Sequence, residues 1–413
     1  MALEIARGIL TPTQTDIILP GEVNWHEAVR ESKRARNAFP DSAFAWIDSA
    51  LAYTIQGQPK MADRAIRVAL SLAPDNRFIL RSAARFYLHN DEPDKAHAVI
   101  VGSGATENDP WLLSTELAIA SAIKRSSRFV SQARRVAENG SFRLYDRSEL
   151  AVAIASLEFE ASGGSQKRIR KFFKQALADP TENTLAQAEW LVKKATGLDV
   201  VQPSTFETPG KFEAIANEQF RNGNWRDAYK STILWMMDQP FSVRPAILAT
   251  FLGTSLVEDL DEAIRIGEES RKANPADATL LNNLAFAYAN AGKLNDAVRI
   301  LRQANKYAKE SYELVTVTAT SGLIAFRQGD SVLGEEAYRA AIDIAKNDKG
   351  QRRFEHMSIA YLEREKMIAD HTKAAESLKV MDETLRKSND RLTQAVIQKI
   401  IDETKKRAEA PVN

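Results

Sequence analysis

The residues of this chain that could perform catalysis or hold a metal ion are few and scattered. The five histidines are His26, His89, His97, His356 and His371. No two of them lie four residues apart and no HExxH is present, so the spacing of a helical zinc site is missing. The chain has no cysteine, which excludes disulfides, cysteine-ligated zinc, iron–sulfur clusters and thiol nucleophiles. The sequence therefore predicts no metal site and no cofactor.

Serine and glycine motifs give no sign of catalysis either. No GxSxG is found, so a nucleophile elbow has no support. The GSG at residues 102–104 lacks the remainder of a P-loop or of a dinucleotide-binding fingerprint. We interpret it as a turn at the end of a helix. We therefore expect that the protein is not an enzyme.

One segment, residues 124–174, concentrates positive charge. It holds twelve lysines and arginines against five acidic residues, in a chain with a net charge of only +1. Nine of the basic residues define what we call the basic face: Lys124, Arg125, Arg128, Arg134, Arg135, Lys167, Arg168, Arg170 and Lys171. Such a face could bind nucleic acid or an acidic partner. The alternative is a solvated outer face balanced by acidic residues of neighbouring helices, with Phe172 and Phe173 in the core.

The composition is that of a globular protein. Of the 413 residues, 44% are hydrophobic and 27% are charged. The near-neutral balance argues against a general polyanion binder. No stretch approaches the roughly 20 apolar residues of a membrane helix, and the start shows no basic head followed by an apolar core. We expect a cytoplasmic location and no membrane contact.

The elements that must position any site are predicted by a repeat. Landmark residues in the first copy are Trp46, Ala50, Tyr53, Gly57, Ala62, Ile66, Ala69 and Pro74. The same spacing recurs at Leu281, Ala285, Tyr288, Gly292, Ala297, Leu301 and Ala304. Small residues allow two helices to approach, large ones fill the surrounding space, glycine supports the turn and proline ends the second helix. The pattern resembles the tetratricopeptide repeat (TPR) family, whose unit is two antiparallel helices in 34 residues.

Applied along the chain, the repeat predicts an all-α, TPR-like superhelical solenoid in two blocks with a C-terminal capping helix pair. Residues 1–196 form an N-terminal block of partly degenerate repeats, which starts near residue 9 and has a turn at 163–165. Residues 197–211, with two prolines and two glycines, form a linker or hinge. Residues 212–351 form the C-terminal block. Residues 352–413 form the capping helices and a frayed tail.

The TPR resemblance also implies a binding surface. In the family, the first helix of each repeat lines a concave groove that binds an extended peptide or a partner's helix, often through an asparagine. The matching candidates here are Asn217, Arg221, Asn282, Asn283, Phe286, Asn290 and Arg327. We expect the side chains of Asn283 and Arg327 to face solvent. The alternative is that the asparagines satisfy polar groups of their own fold.

Two further sets of residues indicate which ligands the repeats could bind. TPR domains that bind acidic chaperone tails have lysine or arginine where this chain has Thr316 and Thr320, so that activity is not expected. The inner positions of the first block are apolar at one end and basic at the other. They are Phe44, Ile47, Leu51, Phe78, Arg81, Arg85 and His89. This surface is a second docking site or a contact with the second block.

The leading functional hypothesis is a non-catalytic scaffold or adaptor, a regulatory subunit of a larger bacterial complex, that binds a protein or peptide in the groove. One alternative is nucleic-acid binding through the basic face. Another is a sensor of signalling peptides. The sensor is disfavoured because such receptors carry an N-terminal output domain, and the repeats are expected to begin near residue 9.

Overall fold

A computed structural model describes residues 25–138, 140–161 and 165–409, and these residues form 21 α-helices and no β-strand. The all-α prediction is therefore confirmed. The start of the first predicted repeat, two residues of the predicted turn at 163–165 and the last four residues lie outside the described residues. The chain divides into two compact units, Met1–Glu218 and Gln219–Asn413.

The first unit contains ten complete helices and the beginning of an eleventh. They are α1 (Trp25–Ala38), α2 (Ala43–Ile55), α3 (Pro59–Leu72), α4 (Arg77–His89), α5 (Pro93–Gly102), α6 (Pro110–Ala122), α7 (Val130–Glu138), α8 (Leu144–Glu160), α9 (Gln166–Ala176), α10 (Glu182–Lys194) and α11 (Phe212–Asn222). The division between the units falls inside α11.

The second unit continues the series to the C-terminus. Its helices are α12 (Trp225–Asp238), α13 (Val243–Leu252), α14 (Leu260–Ala273), α15 (Ala278–Asn290), α16 (Leu294–Tyr307), α17 (Ser311–Arg327), α18 (Ser331–Asn347), α19 (Arg352–Ala369), α20 (Ala374–Lys387) and α21 (Arg391–Glu409). A short π-helical segment, Gly253–Val257, extends α13.

Within each unit the helices stack as antiparallel hairpins. In the second unit α13, α15, α17 and α19 contact one another in succession. Helices α14, α16 and α18 each lie against the two helices that flank them in the chain. The first unit shows the same order in α2, α4 and α6, with α3 and α5 between them. This arrangement buries one face of every hairpin on the next, as a helical repeat requires.

The repeat landmarks have the roles that the sequence predicts. The small residues Ala50 and Ala62, like Ala285 and Ala297, are almost completely buried where paired helices cross. Helix starts carry side-chain caps, for example Asp277, whose carboxylate accepts a hydrogen bond from the backbone N–H of Leu280 at 2.8 Å. The turns inside four hairpins contain a glycine with φ between +67° and +91°, a region that glycine adopts without strain. Those glycines are Gly57, Gly223, Gly292 and Gly329.

The predicted linker, residues 197–211, lies between α10 and α11 and includes a 3-10 turn at Pro203–Thr205. It packs on the first unit, since Val201 is buried and the Thr208 hydroxyl donates to the carbonyl oxygen of Pro180 at 3.1 Å. The hinge itself stays a prediction.

The C-terminal helices close one side of the second unit. Helix α19 continues the series of inner helices, and α20 and α21 form the last hairpin. Along α21, the side chains of Val396, Ile397, Ile400 and Ile401 are buried against α19 and α20. Phe251 at the end of α13 packs on the same cluster, so the last helix returns to an early helix of its unit. In the described part of the chain, no helix combines the length and apolar character that membrane crossing requires.

Candidate functional site

The inner helices of the second unit line a groove of about 310 Å³, which we call the inner groove. Side chains from α13, α15, α17 and α19 form its walls. Its apolar lining includes Phe220, Ile247, Leu248, Phe251, Phe286, Tyr312, Phe354 and Met357. Two of these rings stack across neighbouring helices, Tyr312 on Phe354, with centroids 6.4 Å apart. A surface of this kind offers apolar contact area to a ligand.

Two adjacent asparagines of α15 have different roles in this groove. The side-chain amide of Asn283 donates to the backbone carbonyl oxygen of Ile247 at 3.2 Å and also lies 3.4 Å from the Thr250 hydroxyl. It therefore ties α15 to α13, as the alternative interpretation of this asparagine proposed. Asn282 also lines the groove and is only 5% exposed, yet its side-chain oxygen has no hydrogen-bond partner. A buried acceptor without a partner costs free energy.

Aromatic and cationic side chains continue the groove toward its far end. The ring of Phe286 meets the ring of Tyr361 edge to face, with centroids 5.3 Å apart. The Arg364 guanidinium lies 4.8 Å from the Tyr361 ring centroid and 3.4 Å from the side-chain oxygen of Asn290. The Asn290 amide donates to the carbonyl oxygen of Phe286 at 2.8 Å. Three predicted binding residues, Phe286, Asn290 and Arg327, thus lie around one pocket.

Arg327 is not the solvent-facing residue that the sequence predicts. Its guanidinium lies 2.8 Å from the carboxylate of Glu365, which is 1% exposed, and its own side chain is 25% exposed. The same carboxylate pairs with Arg364 at 2.8 Å. Asn283 is likewise engaged with a neighbouring helix. Both residues therefore contribute to the stability of the unit, whether or not they contact a ligand.

The two candidates on α11 are placed differently. The Asn217 amide donates to the carbonyl oxygen of Glu213, one turn earlier in its own helix, at 2.9 Å. The backbone carbonyl oxygen of Arg221 accepts a hydrogen bond from Arg391 of α21 at 3.4 Å. Between them in the helix, Phe220 reaches the inner groove. A partner-binding role for Asn217 and Arg221 stays a prediction.

Four residues of the basic face form ion pairs within the first unit. Arg134 and Arg168, from α7 and α9, both approach the buried carboxylate of Glu158, at 2.5 and 3.6 Å. Lys171 pairs with Glu138. Arg125 lies 2.9 Å from Asp94.

The other basic-face residues are mostly local in their contacts. Arg135 donates to Gln132, and the Arg128 guanidinium lies 4.7 Å from the Phe129 ring centroid. Lys124 takes a left-handed turn with φ of +55°. Lys167 and Arg170 are exposed on α9. Phe172 and Phe173 are buried, as predicted. The pairing favours a balanced outer face, and the nucleic-acid alternative stays a prediction.

Two of the histidines and the GSG motif lie at partly or largely buried positions or in turns. His97 lies 3.2 Å from the buried carboxylate of Glu116. His356 is 9% exposed, and burial lowers the pKa of its imidazole. Gly102 ends α5, and the Ser103 hydroxyl caps the following 3-10 turn, as the turn interpretation predicts. Among the described residues, no three acidic or histidine side chains are placed to hold a metal ion.

Comparison with known proteins leaves the function open. No protein-family model and no curated protein matches the sequence. Similar solved structures include yeast Tom70, with 10% identity over 93% of this chain and 92% of that one and a TM-score of 0.33. Human IFIT1 in complex with m7Gppp-AAAA has 14% identity over 93% and 95%, with a TM-score of 0.37. A tetratricopeptide repeat protein from Parabacteroides merdae has 13% identity over 76% and 98%, with a TM-score of 0.29.

At these levels of similarity, the architecture must be decided from the helices of this chain. Their hairpin order, their burial of small residues at the crossings and their glycine turns are described above. The fold is a TPR-like helical repeat. What its surfaces bind depends on particular side chains, since a repeat fold is shared by many functions.

Proposed function

We propose that this protein is a non-catalytic interaction scaffold that holds an apolar peptide segment of a partner protein in the inner groove. The observation that carries the proposal is the apolar lining contributed by the alternate helices α13, α15, α17 and α19. Apolar side chains of the peptide would gain buried area from the rings.

The role that follows is that of an adaptor or regulatory subunit. The groove presents aromatic rings, amides and hydroxyl groups to a ligand. Specificity would then come from which apolar side chains fit between the rings of Phe251, Phe286 and Phe354. The protein would then bind a segment of its partner and catalyse no reaction on it.

Selection from a phage-displayed random peptide library on the full chain tests this proposal. We expect enrichment of sequences with clustered apolar residues. Synthetic versions should bind the wild-type chain and lose about tenfold or more in affinity when Thr316→Arg places a charge in the groove. Thr318→Arg is the matched control, because it adds the same side chain to the same helix α17 outside the groove lining.

Both outcomes of this experiment are informative. Enrichment of apolar peptides whose affinity falls for Thr316→Arg alone would establish the groove as the binding site. A selection that enriches no sequence above the blank surface would overturn the proposal. Equal binding to both variants would overturn it as well, because the peptides would then contact another surface.

A further inference from the structure

The inner groove adjoins a second pocket of about 470 Å³, which we call the cationic pocket. The two share Ser255, Phe286 and Tyr361 in their walls, so they are neighbours. The cationic pocket is lined by Arg327 and Arg364 from the repeat helices. Lys399, Lys406 and Arg407 line it from α21. It is therefore built partly by the C-terminal helix that returns across the unit.

The innermost charged groups of this pocket form a triad. Two guanidinium groups, those of Arg327 and Arg364, share the single carboxylate of Glu365, each at 2.8 Å. The Arg364 side chain is 9% exposed and that of Glu365 is 1% exposed, so water screens this group poorly. Burial opposes the charge on Arg364, but the Glu365 carboxylate and neighbouring tyrosines keep the pKa of its guanidinium above the ordinary value. The triad thus keeps one positive charge without a carboxylate.

The charges around Lys399 offset this excess. Its ammonium lies 3.1 Å from Glu258 and 3.7 Å from Glu403, so this group has one carboxylate more than it has cations. Lys406 and Arg407 are exposed at the rim. In total the pocket has five cations and three carboxylates. They are Arg327, Arg364, Lys399, Lys406 and Arg407 against Glu258, Glu365 and Glu403. The net positive charge of the pocket is therefore contributed by the rim, and it would attract an incoming anion.

We propose that the cationic pocket binds a carboxylate of the peptide held in the inner groove, next to an apolar side chain that contacts Phe286 and Tyr361. This inference rests on the proposed function. A carboxylate fits because a planar guanidinium can bind it with two hydrogen bonds. The cations of this pocket lie at other positions than Thr316 and Thr320, where a TPR clamp for acidic tails would have lysine or arginine.

The test changes the ligand first, since that leaves the protein intact. Library-derived peptides are synthesised with Asp or Glu replaced by the amide residue, and separately with the C-terminal carboxylate replaced by a carboxamide. We expect one of the two replacements to weaken binding to the full chain by about tenfold. Whichever replacement has this effect identifies the source of the carboxylate. The preference should shrink as salt is raised.

Substitutions in the protein then show which residues cause the preference for the acid over the amide. Arg364→Gln should abolish the preference for the acid over the amide, and Lys399→Gln should reduce it. Arg339→Gln, on the outer helix α18 and in an exposed ion pair with Glu335, should leave it unchanged. Circular dichroism checks each variant, and the Lys399 variant decides the question if the Arg364 variant does not fold.

The outcomes separate this inference from the proposed function. Peptides that bind the groove but show equal affinity for acid and amide forms would overturn the inference and keep the proposed function. An acid preference that survives in both Arg364→Gln and Lys399→Gln would also overturn it. If no peptide binds the groove at all, both fail together.

Discussion

The crossing of α17 and α18 gives a sharp test of the fold, through Gly322. A Cβ atom added at Gly322 would lie 2.7 Å from a ring carbon of Tyr338 and 2.9 Å from the backbone oxygen of Gly334. Tyr338 is only 1% exposed, and the Phe326 ring lies beside it with centroids 6.2 Å apart. The backbone oxygen moves only if the two helices separate. We therefore expect Gly322→Ala to destabilise the second unit.

The size of the effect follows from two opposing contributions. Alanine is favoured over glycine inside a helix by about 1 kcal/mol. Overpacking a tight core contact costs about 1–3 kcal/mol, and the contact with backbone places this one in the upper part of that range. The net loss in the free energy of unfolding should be about 1–2 kcal/mol. Urea unfolding followed by circular dichroism measures it, as a midpoint lowered by roughly 0.5–1 M.

The matched control is Gly102→Ala. A Cβ atom at Gly102, the last residue of α5, would meet no atom within 4 Å, so only the helix preference acts and stability should be unchanged or slightly higher. If Gly322→Ala unfolds at the wild-type midpoint or above it, the close approach of α17 and α18 is incorrect.

Four further predictions concern stability, pH and ligand class. Ala285→Leu, at a completely buried helix crossing, should cost about 1–3 kcal/mol in the same urea assay, and a neutral result would contradict the repeat register. Arg327→Ala should cost about 1–3 kcal/mol, because Glu365 then retains only Arg364; an unchanged midpoint would show that the ion pair is not formed in solution. Burial raises the pKa of the Asp277 carboxyl, so the native state keeps this proton to a higher pH than the unfolded chain does. The ionised carboxylate therefore destabilises the fold as the pH rises above about 4. Asp277→Asn keeps the cap and should be more stable than wild type at pH 7, with the difference vanishing toward pH 3; equal urea midpoints at pH 7 would refute this. Finally, because much of the basic face is ion-paired, we expect no gel shift of single-stranded RNA at physiological salt, and a shift that disappears steeply with added salt would instead establish nucleic-acid binding.

Local signals explain why so much of the fold could be predicted. The small, large and turn-forming residues of each repeat act on neighbours within about 34 residues, so their spacing alone indicates which helices pair. Ala285 and Ala297 are buried at the crossing that the pattern predicts, and Gly292 takes the left-handed turn between them.

The candidate site could be predicted only in part, because its energetics depend on contacts that spacing does not encode. The family pattern predicts that Asn283 lies in the groove. It does not predict that the Asn283 amide bonds to Ile247, or that the side-chain oxygen of the neighbouring Asn282 has no partner. Arg364 and Glu365 carry no motif, and their importance appears only when Arg327 is brought beside them from an earlier helix. Arg327 and Glu365 lie 38 residues apart in sequence, which is longer than one 34-residue repeat, so no pattern within a repeat indicates their pairing.

The return of α21 to the start of its unit has a kinetic consequence. In a simple stack of hairpins each repeat contacts its neighbours, so folding can begin anywhere and spread. Here the Lys399 ammonium donates to the carbonyl oxygen of Ser255, 144 residues earlier, and Arg391 donates to the carbonyl oxygen of Arg221, 170 residues earlier. Closing such long loops has an entropic cost and slows folding. On a ribosome, Phe251 and Leu256 would remain without their final contacts until the last helix had emerged, which makes the C-terminal segment the step that completes the unit.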